Sequence, residues 1–392
     1  MRSVSLPAPA PRRHFASLEA LRFFAFLKVF FFHVPITLAW PWLLYLKRGG
    51  GIGVEFFFVL SGFLITYLLV ADKQAHGQID VRSFLVRRSL RIWPLFYAGV
   101  LLAFLLPDAL AEHWGFHTVA GGYVPDWRFS FTFLENYKML LTDNFPRTTP
   151  LPVFWSLCIE EHFYLVWVAA LFVVPRPSIR TFLLLCLPLA WACRYLEPFV
   201  FPQNHAMETN DLLTHLDVFA IGGLLGHWVA RDYAGFSARV NGLRLGWRYG
   251  IVVGVVLAVV FQVEVLPYVP GSGFNVVRST VVATLFAALI AMFLPANSAI
   301  GFRSPVLAYL GRISYGLYVF HIIAIHTTLQ YCTNHGIFID TVGENVLLTV
   351  GIFGATVAMS SLSFHYFETP FLRLRDRLTR PQLPQPRLTV PG

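Results

Sequence analysis

Long uncharged apolar runs recur along this chain, and no other sequence feature limits its fold so tightly. Gly250–Val263, Val281–Leu294 and Val346–Met359 contain no charged residue. A helix needs about 20 such residues to cross a bilayer. In lipid every backbone N–H and C=O must also find its partner inside the protein. Composition agrees, with 56% hydrophobic and 13% charged residues against roughly 45–50% and about 25% in soluble domains. A soluble enzyme, a disordered chain and a secreted disulfide scaffold are therefore poor fits. The expected fold class is an all-α polytopic membrane protein.

Ten spans are expected, at residues 18–40, 52–71, 85–106, 153–174, 178–196, 212–230, 248–267, 276–296, 312–333 and 343–366. The domain reading is an N-terminal segment 1–17, a transmembrane domain 18–371 and a basic tail 372–392. Within it lies one long outer loop, 107–152, rich in aromatic residues; loops of that length are usually functional or disordered. Residues 1–17 hold no apolar core and no cleavage site, so no signal peptide is expected and insertion relies on the first span. Cys158, Cys186, Cys193 and Cys332 sit in or beside apolar segments without metal-ligand spacing and read as small buried hydrophobes. No metal is expected.

Lys and Arg collect in cytoplasmic segments. With both termini cytoplasmic, inner segments hold 21 of the 30 basic residues, outer segments five, and spans the remaining four. This lopsided division supports the topology. It also accounts for the net charge of +9, so no nucleic-acid partner is expected.

An ionisable side chain inside a span is costly unless it pairs or meets a wet cavity, so each one is a functional candidate. The first span carries Glu19, Arg22, Lys28 and His33. Arg22 and His33 are eleven residues apart, which returns to within about 20° of one helix face, about 16 Å further along. A cation at the inner surface and an imidazole deeper in suit a long anionic ligand. The plainer reading of His33 is a structural histidine bonded to a neighbouring helix. Lys28 lies off this stripe and is free to pair with Glu55. At the entry to span three, Arg88 and Arg91 are i, i+3 neighbours. They read either as positive-inside anchors beside an interfacial Trp93 or, facing the side of Arg22, as a phosphate clamp. Coenzyme A carries three phosphates and becomes a plausible ligand.

Span four contains Trp155-Ser156-Leu-Cys-Ile-Glu160-Glu161-His162-Phe163-Tyr164, with two carboxylates and a histidine at about the depth of His33. In span nine Ser314, Tyr318 and His321 share a face and read equally as a polar cavity lining or as catalytic groups. Gly49–Gly53 is a flexible turn rather than a dinucleotide loop, and Ser61-Gly62 reads as close helix packing rather than a nucleophile elbow.

These segments together resemble the acyltransferase-3 family of bacterial membrane acyltransferases, whose members modify surface polysaccharides, Nod factors and some macrolides. Arg22 and His33 fit its R-x10-H pattern, and Gly53–Ile65 is similar to its second-helix signature. Arg88-x-x-Arg91 matches RxxR, and Phe154–Tyr164 resembles WSLxxEExFY with His162 in place of the usual Gln. Ile313–His321 resembles ISYxLYxxH, and Phe367-Glu-Thr-Pro370 the closing ExP. The resemblance runs from Leu18 to about Phe371. It implies a stand-alone enzyme, without the periplasmic hydrolase-like domain of some members, and acyl-CoA as donor rather than a permanently bound cofactor.

On this reading Arg22, Arg88 and Arg91 hold the coenzyme's phosphates, and His33 is the general base that activates a hydroxyl. Glu161, or Glu160, orients the imidazole. Glu161 is favoured because Tyr164, at i+3, can share its face. Glu55, Ser61, Trp155, His162, Tyr164, Tyr318 and His321 line the cavity or the substrate path. The expected reaction transfers an acyl group, acetyl in the first instance, from cytoplasmic acyl-CoA to a hydroxyl of an extracytoplasmic carbohydrate such as a surface polysaccharide or its lipid-linked precursor. A macrolide or other secondary metabolite is the alternative acceptor. A transporter is the rival from another class, and the inverted repeats it requires are not visible in the sequence.

Overall fold

Each of the ten expected spans carries a helix in the computed structural model, which describes residues 15–35, 43–117, 121–201, 210–269 and 272–379. These are α1 (Ser17–His33), α2 (Gly51–His76), α3 (Val81–Leu105), α4 (Trp155–Val173) and α5 (Ile179–Val200), then α6 (Leu216–Arg231), α7 (Leu245–Val260), α8 (Phe274–Phe293), α9 (Ser314–Asn334) and α10 (Val342–Leu362). No β-strand forms among the described residues, only two isolated bridges. Among the described residues, seven helical runs are long and apolar enough to cross a membrane. Two more qualify when Tyr233–Gly242 is joined to α7 across a 95° bend and Pro305–Arg312 to α9 across a 71° bend. The chain is a multi-pass helical membrane protein. Helix α1 has 17 residues, and the end of the first expected span, 36–40, lies outside the described residues. So do 1–14 and 380–392 of the two terminal segments.

Packing is closest between α2 and α6. A methyl group on Gly222 would lie 2.0 Å from the Val59 carbonyl oxygen, one on Gly226 2.3 Å from that of Phe63, and one on Gly62 2.1 Å from that of Phe219. Apolar side chains gain little by meeting one another in lipid, so small residues that let backbones approach carry such interfaces. The reading of Ser61-Gly62 as close packing holds. Phe163 of α4 stacks on Phe219 of α6 with centroids 4.0 Å apart, and Trp167 beside it is fully buried.

Basic groups within this scaffold are neutralised in two ways. Arg194 of α5 forms a buried ion pair with Asp217 of α6 and donates to the carbonyls of Thr214 (2.8 Å) and Val276 (2.6 Å). Thr280 of α8 also donates to Asp217, so three helices share one satisfied network. Lys73 instead donates to the carbonyls of Leu171 (2.7 Å), Phe172 (3.2 Å) and Val174 (2.6 Å) at the end of α4. Lys28 does the same at the short helix Leu43–Lys47, reaching the carbonyls of Leu46 (2.8 Å) and Arg48 (2.6 Å). The expected Lys28–Glu55 pair is therefore corrected. Unsatisfied carbonyls at a helix C-terminus attract a cation as a carboxylate does, and Glu55 faces Arg278 at 4.0 Å and accepts from Ser279 at 3.3 Å.

The outer segment has structure of its own. Short helices form at Asp108–His113, Trp127–Ser130 and Glu135–Thr142, the last packed on α4. Glu135 is buried and accepts from Tyr123 (2.6 Å) and from Ser130. Burial raises its carboxyl pKa above the usual range, although both donors oppose the shift.

The α2–α6 contact yields a test. Gly222→Ala drives a methyl into backbone that cannot yield, and overpacking of this kind costs about 1–3 kcal/mol. The purified variant is expected to melt at a lower temperature than wild type, whereas Gly250→Ala, where a methyl meets nothing within 4 Å, is expected to melt with it.

Candidate active site

A cavity of about 380 Å³ opens among α1, α2, α3, α4 and α9, within the range of small-molecule sites. Its wall contains Arg22 from α1 and Arg88 and Arg91 from α3, three guanidiniums brought together from two segments far apart in sequence. Among the described residues none of the three has a carboxylate within salt-bridge distance. The guanidinium of Arg88 lies over the Tyr164 ring, 5.4 Å from its centroid, and 5.8 Å from that of Phe84. Like charges held together are unfavourable; Glu19 and Glu160 in the same wall offset them in part, and an anion in the cavity adds to that relief.

The α4 wall is set by helix rotation. Glu160 lines the cavity; Ser61 donates to one of its oxygens at 2.9 Å and Tyr164 to the other at 3.0 Å. Glu161 lies on another face, where the Trp93 indole N–H donates to Oε2 at 2.9 Å and Oε1 is buried with no hydrogen-bond partner among the described residues. The expected sharing of a face by Glu161 and Tyr164 is corrected: the tyrosine hydroxyl reaches one turn back to i−4, to Glu160. Trp93 is likewise more than an interfacial anchor. His162 faces outward and stacks on Tyr137 of the outer segment with centroids 5.4 Å apart. Trp155 packs against the apolar core.

At the α9 wall, Tyr318 donates to the Val153 carbonyl (3.0 Å) and shares a hydrogen bond with Ser156 (2.7 Å). Behind it stands fully buried His321, its ring centroid 5.7 Å from that of Tyr318. His321 Nε2 is 3.2 Å from His33 Nδ1. Neither histidine lines the cavity, and among the described residues no hydrogen bond joins His33 to Glu160 or Glu161. The expected carboxylate partner of His33 is thus replaced by a second imidazole.

The carbonyls beside these rings assign their protons. A carbonyl only accepts, so His321 Nδ1, 2.6 Å from the Tyr318 carbonyl, carries the hydrogen and leaves a lone pair on Nε2. His33 Nδ1 faces that lone pair and the Val29 carbonyl at 3.0 Å, so it too carries a hydrogen. His33 Nε2 is left with a lone pair on a half-buried ring. No group of three metal-ligating side chains occurs among the described residues.

The sequence reading did not single out Tyr315, which lines the cavity and donates to the Ile92 carbonyl at 2.9 Å, or His326, which bonds Thr149 at 2.8 Å. The i, i+1 spacing of Tyr315 beside Ser314 was a usable signal for the first; the partner of His326 is 177 residues away and gave none.

Fold and site together define a polytopic helical membrane protein with an arginine-lined cavity set beside a histidine pair. The chain belongs to the acyltransferase-3 family, whose acyltransferase domain matches residues 15–364. It is 27% identical over 376 residues to the putative peptidoglycan O-acetyltransferase YrhL of Bacillus subtilis, covering 91% of this chain and 55% of that protein. The peptidoglycan O-acetyltransferase OatA of Listeria monocytogenes is 27% identical over 376 residues, 92% of this chain and 56% of its own. A putative O-acetyltransferase of Staphylococcus aureus, SACOL0978, is 27% identical over 395 residues, with 92% and 57% covered. The chain thus spans a little over half the length of these relatives. No solved structure matches it.

The geometry reverses the ranking of the two glutamates. Gln at 160 exchanges one of two engaged acceptor oxygens for a donor, releasing Tyr164 and with it the shelf under Arg88. Gln at 161 still offers an oxygen to Trp93. A lost hydrogen bond to a charged group costs about 1.5–3 kcal/mol, so Glu160→Gln is expected to lower kcat/KM for acyl transfer about tenfold or more. Glu161→Gln is expected to stay within about threefold.

Proposed function

We propose that the protein is an acyl-CoA-dependent O-acyltransferase that moves an acetyl group from the cytoplasm to a hydroxyl of an extracytoplasmic carbohydrate, working in the inner membrane with both termini cytoplasmic. One observation carries this reading above the others: three arginines with no carboxylate at salt-bridge distance among the described residues line one cavity, and its end wall, at Tyr318, backs onto the His321–His33 pair. Guanidiniums grip phosphate oxygens through paired N–H donors, and the topology expected from the Lys and Arg distribution puts Arg88 and Arg91 at the cytoplasmic end of the bundle. The names of the relatives, peptidoglycan O-acetyltransferases among them, support acetyl as the acyl group and a cell-wall or surface glycan as the acceptor.

In this mechanism the coenzyme's phosphates sit on Arg22, Arg88 and Arg91, and the thioester reaches toward Tyr318. An acceptor hydroxyl approaches His33 from the opposite side, under the outer segment. The lone pair of His33 Nε2 takes the hydroxyl proton as the oxygen attacks the thioester carbon. The tetrahedral intermediate collapses with cleavage of the carbon–sulfur bond, and the proton on Nε2 passes to the departing thiolate. The products are the ester and coenzyme A. While His33 is cationic, the Val29 carbonyl and His321 Nε2 accept from its Nδ1–H and stabilise the charge without a carboxylate. His321 is a positioning residue: its own Nδ1–H is committed to the Tyr318 carbonyl, so it can only accept from His33 and holds that ring in one tautomer. Tyr318 must swing aside, or lend its hydroxyl to the carbonyl oxygen, when the two substrates meet.

Purified protein reconstituted with radiolabelled acetyl-CoA and isolated cell-wall glycan strands tests the reading. His33→Ala is expected to reduce labelling of the glycan by about 10²–10⁴-fold, the usual range for a lost general base, with insertion and donor affinity intact. His321→Ala is expected to lower kcat and to alter the pH dependence of kcat, with little change in donor KM. A His33→Ala variant that keeps more than a few per cent of wild-type turnover removes His33 from the mechanism.

Arg88→Ala and Arg91→Ala, and similarly Arg22→Ala, are expected to raise KM for acetyl-CoA more than they lower kcat, since a phosphate contact binds ground and transition states alike. Each lost charge-assisted contact corresponds to about ten- to hundredfold in affinity. Calorimetry of coenzyme A binding checks this apart from turnover, and unchanged affinity in all three variants reduces the arginines to topology anchors.

A further inference from the structure

Beside the main cavity lies a second chamber of about 130 Å³ that shares Leu68, Arg88 and Arg91 with it. Its remaining wall adds Arg87 from α3 and Arg375 from the C-terminal helix Thr369–Leu378. That helix follows α10 through a π-helical turn at Ser363–Glu368 and packs back on α3. Four guanidiniums thus face one small space. The carboxylate there, Asp72, is engaged by the backbone N–H of Asp80 at 3.0 Å and by His76 at 3.1 Å. Among the described residues the Arg375 guanidinium pairs only with its neighbour Asp376 (2.8 and 2.9 Å), whose side chain is 68% exposed; such a surface pair is weak and readily exchanged for a better anion. A single water takes roughly 10–15 Å³ of such space, so the chamber admits a phosphoryl group with solvent beside it.

We propose that this chamber is a subsite for a terminal phosphomonoester of the donor nucleotide, with Arg375 as its outer ligand and Arg88 and Arg91 shared with the main cavity. The inference rests on the acyl-CoA reading and deepens it. A phosphodiester carries one negative charge, whereas a phosphomonoester at neutral pH carries nearly two and presents three terminal oxygens. A ring of four guanidiniums, two of them shared with the main cavity, suits the second kind of group. In coenzyme A that group is the 3′-phosphate of the ribose, at the opposite end of the molecule from the thioester. Arg375 then acts in recognition, although in the sequence it reads only as one of several basic tail residues that set orientation.

The test compares acetyl-CoA with 3′-dephospho-acetyl-CoA as donors for the full chain purified in detergent. Wild type is expected to show a KM about tenfold lower for acetyl-CoA, the equivalent of one charge-assisted contact. Arg375→Ala is expected to raise KM for acetyl-CoA about tenfold while KM for the dephospho donor moves less than twofold, so that the discrimination vanishes. Arg375→Gln serves as a second variant should the alanine protein fail to fold. Equal KM values for the two donors in wild type, or an equal rise for both in the variants, overturns the subsite and leaves the acyl-CoA reading standing. Competition by phosphatidic acid vesicles with no discrimination between the donors assigns the chamber to a lipid headgroup and overturns the proposal as well. Turnover of neither donor by wild type overturns the acyl-CoA reading, and this inference with it.

Discussion

The backbone contact of α2 with α6 is the constraint on which the rest of the molecule leans. Gly62, Gly222 and Gly226 bring two helices close enough that no methyl fits between them and the facing carbonyls. A contact so tight leaves little freedom of rotation or slip. Ser61, next to Gly62, is thereby aimed at Glu160, and Leu68 is set between the two cavities. The other wall helices are referred to this pair through Phe163 on Phe219 and through the shared Arg194–Asp217 network.

Charge is distributed on this frame according to what each group must do. Lys28, Lys73 and Arg194 are saturated by carbonyls or a buried carboxylate and hold elements together. Arg22, Arg88 and Arg91 have no such partner among the described residues, although they stand in the same bundle. Burying a charge is costly, so arginines that form no salt bridge among the described residues, gathered around an open cavity, mark where an anion belongs. The contrast between satisfied and unsatisfied cations within one chain says more than the number of charges does.

Much of this was legible in the sequence. The apolar segments announced a helical bundle because a backbone in lipid has few alternatives to a helix, although seven to nine rather than ten spans qualify among the described residues. The arginine cluster followed from treating each buried charge as a candidate. What could not be read was rotation and pairing across helices. Glu160 and Glu161 differ by about 100° around α4, and the reach of Tyr164 to i−4 rather than i−3 decided which of them faces the cavity. The partner of His33 lies 288 residues away. Backbone carbonyls, which hold Lys28 and set the histidine tautomers, have no signature in residue types at all. Arg375 resembled any other basic residue of a cytoplasmic tail, since only the return of its helix onto α3 gives it a neighbourhood.

The hydroxyl of Tyr318, fastened to Ser156 and the Val153 carbonyl, stands between the arginine-lined cavity and the histidine pair. A bilayer that stores energy as an ion gradient tolerates no continuous column of water, because protons would run down it through imidazoles as readily as through solvent. A single aromatic side chain at the meeting point therefore acts as electrical insulation as well as a wall. With His321 packed behind it, it keeps water of the arginine-lined cavity from reaching His33.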